Sequence, residues 1–235
     1  MPAARRFFVT SQALEKELVL SGAEHNHLAN VLRLRAGDEV IIVCGDEFDY
    51  HYQITSIAKD KTVLRLAGKL QNTCNPKQRF TVYIGIIKHD NLALAIEKLN
   101  EVGVAEVVLF KSANCQNIPV KLEKLQTIAL QSCKQCGRSI PLKVSGVLNF
   151  DELLKDIPGN VIFADEALRG AHMRGEAISN RPAGIIIGPE GGFTDAERET
   201  LRKTATAVPL GPRILRAETA AIVVSALILS KLGEI

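Results

Sequence analysis

Two glycine-containing loops near the C-terminal end constrain this chain more than any other stretch. The first is Gly188-Pro189-Glu190-Gly191-Gly192-Phe193. The second runs from Leu210 to Ala220 as Leu-Gly-Pro-Arg-Ile-Leu-Arg-Ala-Glu-Thr-Ala. Each follows a short apolar run, Ala183 to Ile187 and Ala207 to Leu210, that reads as a buried strand, and each leads into a helical pattern. Thr194 and Glu197 stand at capping-box spacing, so a helix is expected just past the first loop. Strand–loop–helix units of this kind belong in a parallel α/β sheet, where ligands bind beyond the carboxyl ends of the strands. The glycines let the backbone approach a ligand closely. Neither loop has the Gly-x-Gly-x-x-Gly or Gly-Lys-Ser/Thr pattern that cradles phosphates, and Glu190 would repel a phosphate. The ligand expected is therefore one without phosphates, and a cation is compatible. Two tight turns with helix caps account for the same spacing without a ligand.

These two stretches resemble the signature loops of the RsmE family, the 16S ribosomal RNA uridine-N3 methyltransferases of the SPOUT superfamily. The resemblance implies a C-terminal parallel-sheet domain with a trefoil knot, completed at a homodimer interface, that binds S-adenosylmethionine (SAM). Threaded chains are very rare, and nothing in the composition suggests one. Carried over residue by residue, the resemblance puts Ile187, Gly188, Pro189 and Gly191 of the first loop at the cofactor. From the second loop it adds Leu210, Gly211, Ile214, Leu215, Thr219 and Ala220. Contact is expected largely through backbone, with Leu210, Ile214 and Leu215 bounding a slot for adenine and Gly188, Gly191 and Gly211 permitting close approach.

The rest of the chain supports an ordinary globular protein. Of its 235 residues 46% are hydrophobic and 23% charged. The net charge of +3 means that any nucleic-acid role must come from a local patch. No secretory signal is evident, and the longest apolar stretch, Ala220 to Leu229, is too short to span a bilayer. It reads as a helix apolar on most sides, to be buried in a core or a subunit interface. Five cysteines without an export signal suit reduced thiols in a cytoplasmic protein. Cys133-x-x-Cys136 has no second pair at zinc-finger spacing and His25-x-His27 is a polar helix start, so no metal is expected.

Residues 1–72 show short strands at close spacing: Arg6 to Thr10, Glu17 to Leu20, Asp38 to Cys44, Tyr50 to Ala58 and Thr62 to Ala67, with a helical piece over Glu24 to Leu32. A small β-barrel is expected. Arg5, Arg6, Arg33 and Arg35 give it a basic edge beside Phe7 and Phe8, suited to phosphates and stacked bases; a solvated surface over a buried Phe pair fits as well. Arg5-Arg6-Phe7-Phe8-Val9 and His27-x-x-x-Val31-Leu32-Arg33-Leu34-x-x-Gly37-Asp38 resemble the family's N-terminal PUA-like barrel, which implies that Arg5, Arg6 and Arg33 face the RNA.

A polar linker over Gln71 to Lys77 separates this module from residues 73–235. There strands at Phe80 to Ile87, Val104 to Phe110 and Val161 to Ala164 alternate with helices at Asn91 to Val102, Val120 to Gly137 and Asp151 to Ile157. Two stretches here also resemble family motifs. They are Glu97-Lys98-x-x-Glu101-x-Gly103-Val104, and Gln135-Cys136-Gly137-Arg138 with Pro141 after it. The stretch Leu109-Phe110-Lys111-Ser112-Ala113-Asn114 departs, because the family carries a Glu-Arg pair where this chain has Ala113-Asn114.

Methyl transfer from a sulfonium is an in-line displacement, in which the protein positions the reactants and places charge. A uracil N3 must lose its proton to become a good nucleophile. Glu190 and Glu218 are the candidate bases or donor-orienting carboxylates. Arg138 and Arg216 are the candidate cations for charge developing on the uracil oxygens. The structural readings are an ion pair for each Arg and a helix N-terminal carboxylate for Glu218. Three functions therefore stand side by side. They are a SAM-dependent methyltransferase of small-subunit ribosomal RNA, a non-catalytic RNA-binding protein on the same fold, and a phosphate- or dinucleotide-binding α/β enzyme.

Overall fold

Alternating apolar and polar residues and closely spaced turn signals make the N-terminal stretch a sheet. The computed structural model of the chain describes residues 5–9, 14–171 and 181–235. The chain divides into two units, Met1–Asn75 with Cys133–Pro141, and Pro76–Ser132 with Leu142–Ile235. In the first, β1 (Arg6–Phe8), β2 (Glu17–Ser21), β3 (Glu39–Val43), β4 (Phe48–Ile57) and β5 (Lys61–Gln71) form one sheet in the order β1-β3-β4-β5-β2. The β1–β3 pair is parallel and the others antiparallel. Bulges between His51 and Tyr52 and between Ile54 and Ser56 bend the long β4–β5 ribbon. Its inner face packs Phe7, Leu28, Ile42, Tyr52 and Leu64 into a core of its own. Thr10, the expected end of the first strand, lies outside the described residues.

The helical piece is shorter and wider than its sequence pattern suggests. It is an α-turn, α1 (Gly22–Asn26), followed by a π-turn over His27–Val31, in which the Leu32 N–H donates to the His27 carbonyl at 2.9 Å. It ends at Arg33, whose φ of 54° lies in the left-handed region.

Arg6 corrects one expectation. Its side chain is 8% exposed, and both of its terminal nitrogens donate to the Asp49 carboxylate at 2.7 Å, pinning β1 to β4. Burial alone would raise the Asp49 pKa, but the bonds from Arg6 and Asn72 outweigh it and hold that carboxyl below its ordinary value. Arg6 is an internal tie, not a face for RNA. Arg5 and Arg33 remain at the surface, Arg5 beside Asp38 at 3.4 Å.

The second unit contains β6 (Thr81–Gly85), α2 (His89–Glu101), β7 (Glu106–Phe110), most of α3 (Leu122–Cys136), β8 (Lys143–Leu148), α4 (Phe150–Asp156) and β9 (Val161–Ala164). After these come β10 (Gly184–Ile187), α5 (Asp195–Leu201), β11 (Thr206–Val208) and α6 (Ala217–Leu232). Its sheet runs β11-β9-β10-β6-β7-β8, with parallel pairing throughout. The fully apolar run of β10 is what a strand covered on both faces needs. α6 packs Ala221, Val224, Ile228 and Leu229 against the β6–β10 side of this core. Strand β8 had no sequence signal. Gly146 interrupts its apolar run at φ 84°, where an added Cβ would lie 2.5 Å from the Leu109 carbonyl oxygen, and the β7–β8 register shifts there.

At the amino ends of the strands, Glu106 accepts from Arg79 and Lys143 at 2.8 Å and from Ser145 at 2.7 Å. Burial works to raise its pKa, yet the three donors override it and hold the carboxyl at about 2, against 4.5 for a free side chain. The folded value is depressed, so this contribution to stability is complete above about pH 4.5 and is lost as the pH falls toward 2. In urea unfolding, Glu106→Gln should be clearly less stable than wild type at pH 7, and the gap should close by pH 2. A gap that does not change with pH would assign the loss to packing.

Candidate active site

The carboxyl ends of β6, β9 and β10 and the loop after β11 converge on a cavity of about 580 Å³. Both signature loops line it. Ile187, Gly188, Pro189, Glu190, Gly192 and Phe193 come from the first, and Leu210, Gly211, Arg213, Ile214, Leu215 and Arg216 from the second. Ala217, Glu218 and Ala220 enter from the first turn of α6. The structure thus brings together most of the residues singled out from sequence. Gly191 and Thr219 do not line the cavity, and Arg138 is buried in the first unit, with its Nε donating to the Ile140 carbonyl at 3.0 Å. A catalytic role for Arg138 finds no support in that placement.

The glycines serve the loop more than the ligand. A Cβ on Gly188 would stand 3.0 Å from the Phe193 ring, and one on Gly191 would stand 3.0 Å from Asn114 Cβ. Gly85, at the end of β6, lets the first loop come down on the sheet, since its Cβ would meet the Pro189 nitrogen at 2.7 Å. Only Gly211, at φ 90° with open space beside it, matches the expectation of a backbone bared to a ligand. Phe193 turns inward, stacked on Phe110 and edge-on to Phe163.

Charge is unevenly paired around the cavity. Asp165, at the end of β9, is fully buried but bonded to Arg202 at 2.7 Å and within 3.6 Å of Arg198. Arg198 donates in turn to the Phe193 carbonyl. Glu218 is 4% exposed, and its Oε2 meets no donor among the described residues. Lys88, Arg169, Arg213 and Arg216 stand exposed at the rim, and Arg216 makes no ion pair among the described residues. Sequence reading missed Asp165, Arg169, Arg198, Arg213, Lys88 and Asn91. The signal for Asp165 was present: a carboxylate directly after the buried run Val161 to Ala164, at the end of a parallel strand.

A family model described as an RNA methyltransferase domain matches residues 74–229, and one described as an RNA methyltransferase PUA domain matches residues 20–66. A relative from Bacillus subtilis, ribosomal RNA small subunit methyltransferase E, is 32% identical over 92% of this chain and 92% of its own length. The Rickettsia conorii protein of the same name is 30% identical over 92% and 91%. This chain belongs to the ribosomal RNA small subunit methyltransferase E family. Among solved structures, a methyltransferase from Legionella pneumophila in complex with SAM superposes with a TM-score of 0.86 at 23% identity, covering 97% of this chain and 98% of that one. The Neisseria gonorrhoeae methyltransferase E bound to SAM gives 0.83 at 22% identity, with the same coverage. Both share the fold of this chain, a six-stranded parallel-sheet unit and a five-stranded unit that the PUA domain matches. The two glycine-containing loops of the sequence are thus walls of one cavity in the part of the chain that the RNA methyltransferase domain matches.

Proposed function

We propose that this chain uses SAM to methylate N3 of a uridine in 16S ribosomal RNA, with the cavity between the two loops as its cofactor site. The observation that carries this reading is Glu218. A buried carboxylate oxygen without a donor costs free energy, and a ligand that brings a donor or a positive charge to it offsets that cost. SAM carries both an ammonium and a sulfonium, whereas a phosphate would put like charge beside it. SAM bound to the Legionella and Neisseria relatives supports the same reading, and so do the methyltransferase E relatives.

When bound, SAM supplies a methyl group on a positively charged sulfur, open to in-line attack. Ile187, Leu210, Ile214 and Leu215 offer apolar surface for its purine, and Gly188, Pro189, Gly211 and Ala220 offer backbone. Glu218 holds a donor through its unpartnered oxygen. Arg216 stabilises the negative charge that spreads onto the uracil oxygens as N3 gives up its proton to solvent water at the cavity mouth. Lys88, Arg169 and Arg213 bind phosphates at the rim, and Arg5 and Arg33 bind them on the N-terminal module. N3 lies on the Watson–Crick edge, so the target uridine must be unpaired or splayed out.

In this reading residues 1–72 grip RNA and residues 73–235 perform the chemistry, with the two loops threaded as a trefoil knot. The enzyme acts in the cytoplasm as a homodimer. Val223 and Leu227, exposed on α6, are apolar surface that a second copy would cover. No helix among the described residues is long and apolar enough to cross a membrane.

Calorimetric titration with SAM and S-adenosylhomocysteine should give saturable binding. Small-subunit RNA incubated with protein and labelled SAM should then yield N3-methyluridine on digestion and mass spectrometry. Folded protein that binds neither compound would overturn the reading, and binding of SAM and RNA without methylation would leave a non-catalytic relative.

A further inference from the structure

A set of polar contacts not yet assigned a role ties the first loop to the segment that follows β7. Glu190 Oε1 accepts from Asn91 Nδ2 of α2 at 3.2 Å, and Oε2 accepts from Gln116 Nε2 at 2.9 Å. Asn114 Nδ2 donates to two successive loop carbonyls, Gly191 at 3.1 Å and Gly192 at 3.2 Å. Next to it, the Ala113 N–H donates to Glu197 Oε1 at 2.8 Å, and Glu197 Oε2 completes the capping box with Thr194 that ends the loop. The segment Ser112 to Gln116, which follows β7, is therefore bonded to the first loop at Glu190, Gly191, Gly192 and, through Glu197, Thr194. Asn114 and Gln116 do not line the cavity.

We propose that Asn114 and Gln116, with Asn91, are positioning residues that set the first loop for the cofactor, and that Glu190 is the anchor they hold. The chemistry of the contacts fits that division. One primary amide has two N–H donors and can span two adjacent carbonyls, as Asn114 does. Both oxygens of Glu190 accept from neutral amides, which hold the carboxylate in place behind the loop. Glu218 differs, since its Oε2 meets no donor among the described residues. The absent Cβ of Gly191 fits too, because a side chain there would press on Asn114 and open the clamp.

The proposal rests on the cavity being the SAM site, and the test separates the two. Asn114→Asp keeps the shape and removes both donors. In calorimetry it should raise the SAM Kd about tenfold, with Asn114→Ala similar and Glu190→Gln in the same direction. In steady state the KM for SAM should rise with Kd, while kcat at saturating SAM falls less than about threefold. Hydrogen exchange in the peptide carrying Gly191 to Phe193 should speed up about tenfold in Asn114→Asp, with the unfolding midpoint near that of wild type. Exchange unchanged in that peptide overturns the proposal whether or not SAM binds, as does a loss of kcat with Kd unmoved. Wild-type protein that fails to bind SAM, but whose loop loosens in Asn114→Asp, would refute the cofactor assignment and leave the clamp standing.

Discussion

Replacing Arg216 with alanine is expected to slow methyl transfer about 10²–10³-fold, the usual cost of one lost electrostatic contact to a transition state. The Kd for SAM should move by less than about twofold. Arg216 is the N-cap residue of α6, and its backbone carbonyl accepts from the Ala220 N–H at 2.8 Å, so the main chain there is fixed by the helix. Its side chain is exposed at the rim and unpaired among the described residues. It is therefore not required for folding and is available to a base presented at the cavity mouth. Single-turnover kinetics at saturating SAM, beside calorimetry, reads the two quantities separately. A parallel loss of both would make Arg216 a cofactor-binding residue, and an unchanged rate would move the charge stabilisation to Arg213 or Lys88.

The second large effect is on stability. Phe193→Ala should cost about 3–5 kcal/mol, the range for deleting a well-packed aromatic ring. The Phe193 ring is 5% exposed, lies 6.3 Å from Phe110 in a nearly parallel stack and meets Phe163 edge-on at 6.2 Å. It also closes the space left by the missing side chain of Gly188. Removing the ring should lower the unfolding midpoint by about 10 °C, given a few degrees per kcal/mol in a chain of this length. It should also weaken SAM binding, because Gly188 loses the surface it rests on. Phe193→Leu, which refills part of the volume, should recover about half of the stability. A midpoint within about 2 °C of wild type would show that the residues around the ring collapse into its place.

Most of the fold was legible because its signals are local. The apolar run Ile185-Ile186-Ile187 can only be a buried strand, and Thr194 with Glu197 does form a capping box. The π-turn at His27–Val31 was not, since an apolar pattern at helical spacing does not distinguish i to i+5 from i to i+4 bonding. Strand β8 was hidden by Gly146. At the site, the two loops were found from their glycines, the strand and helix patterns that flank them and the family resemblance, but the network that orients them was not. Arg6 shows why: a basic residue beside a Phe pair reads as an RNA contact until Asp49, 43 residues away, is seen to hold it. Asp165 with Arg198 and Arg202, and Glu190 with Asn91 and Gln116, are likewise pairings between distant stretches, which spacing along the chain does not encode.

The strand order also governs how this protein can be made. β10 joins β9 on one side and β6 on the other, and no other strand among the described residues links those two halves of the sheet. During synthesis β6, β7 and β8 emerge first and can pair, but the free edge of β6 has to wait until residues 184–187 leave the ribosome. Such an edge is a template for wrong partners, and pairing across nearly 100 residues of chain is slow. The last strand to enter the middle of the sheet is also the one that carries the first loop, so a nascent or truncated chain has neither a closed sheet nor a binding cavity. Misfolding hazard and loss of activity therefore share one origin, the late arrival of a single four-residue seam.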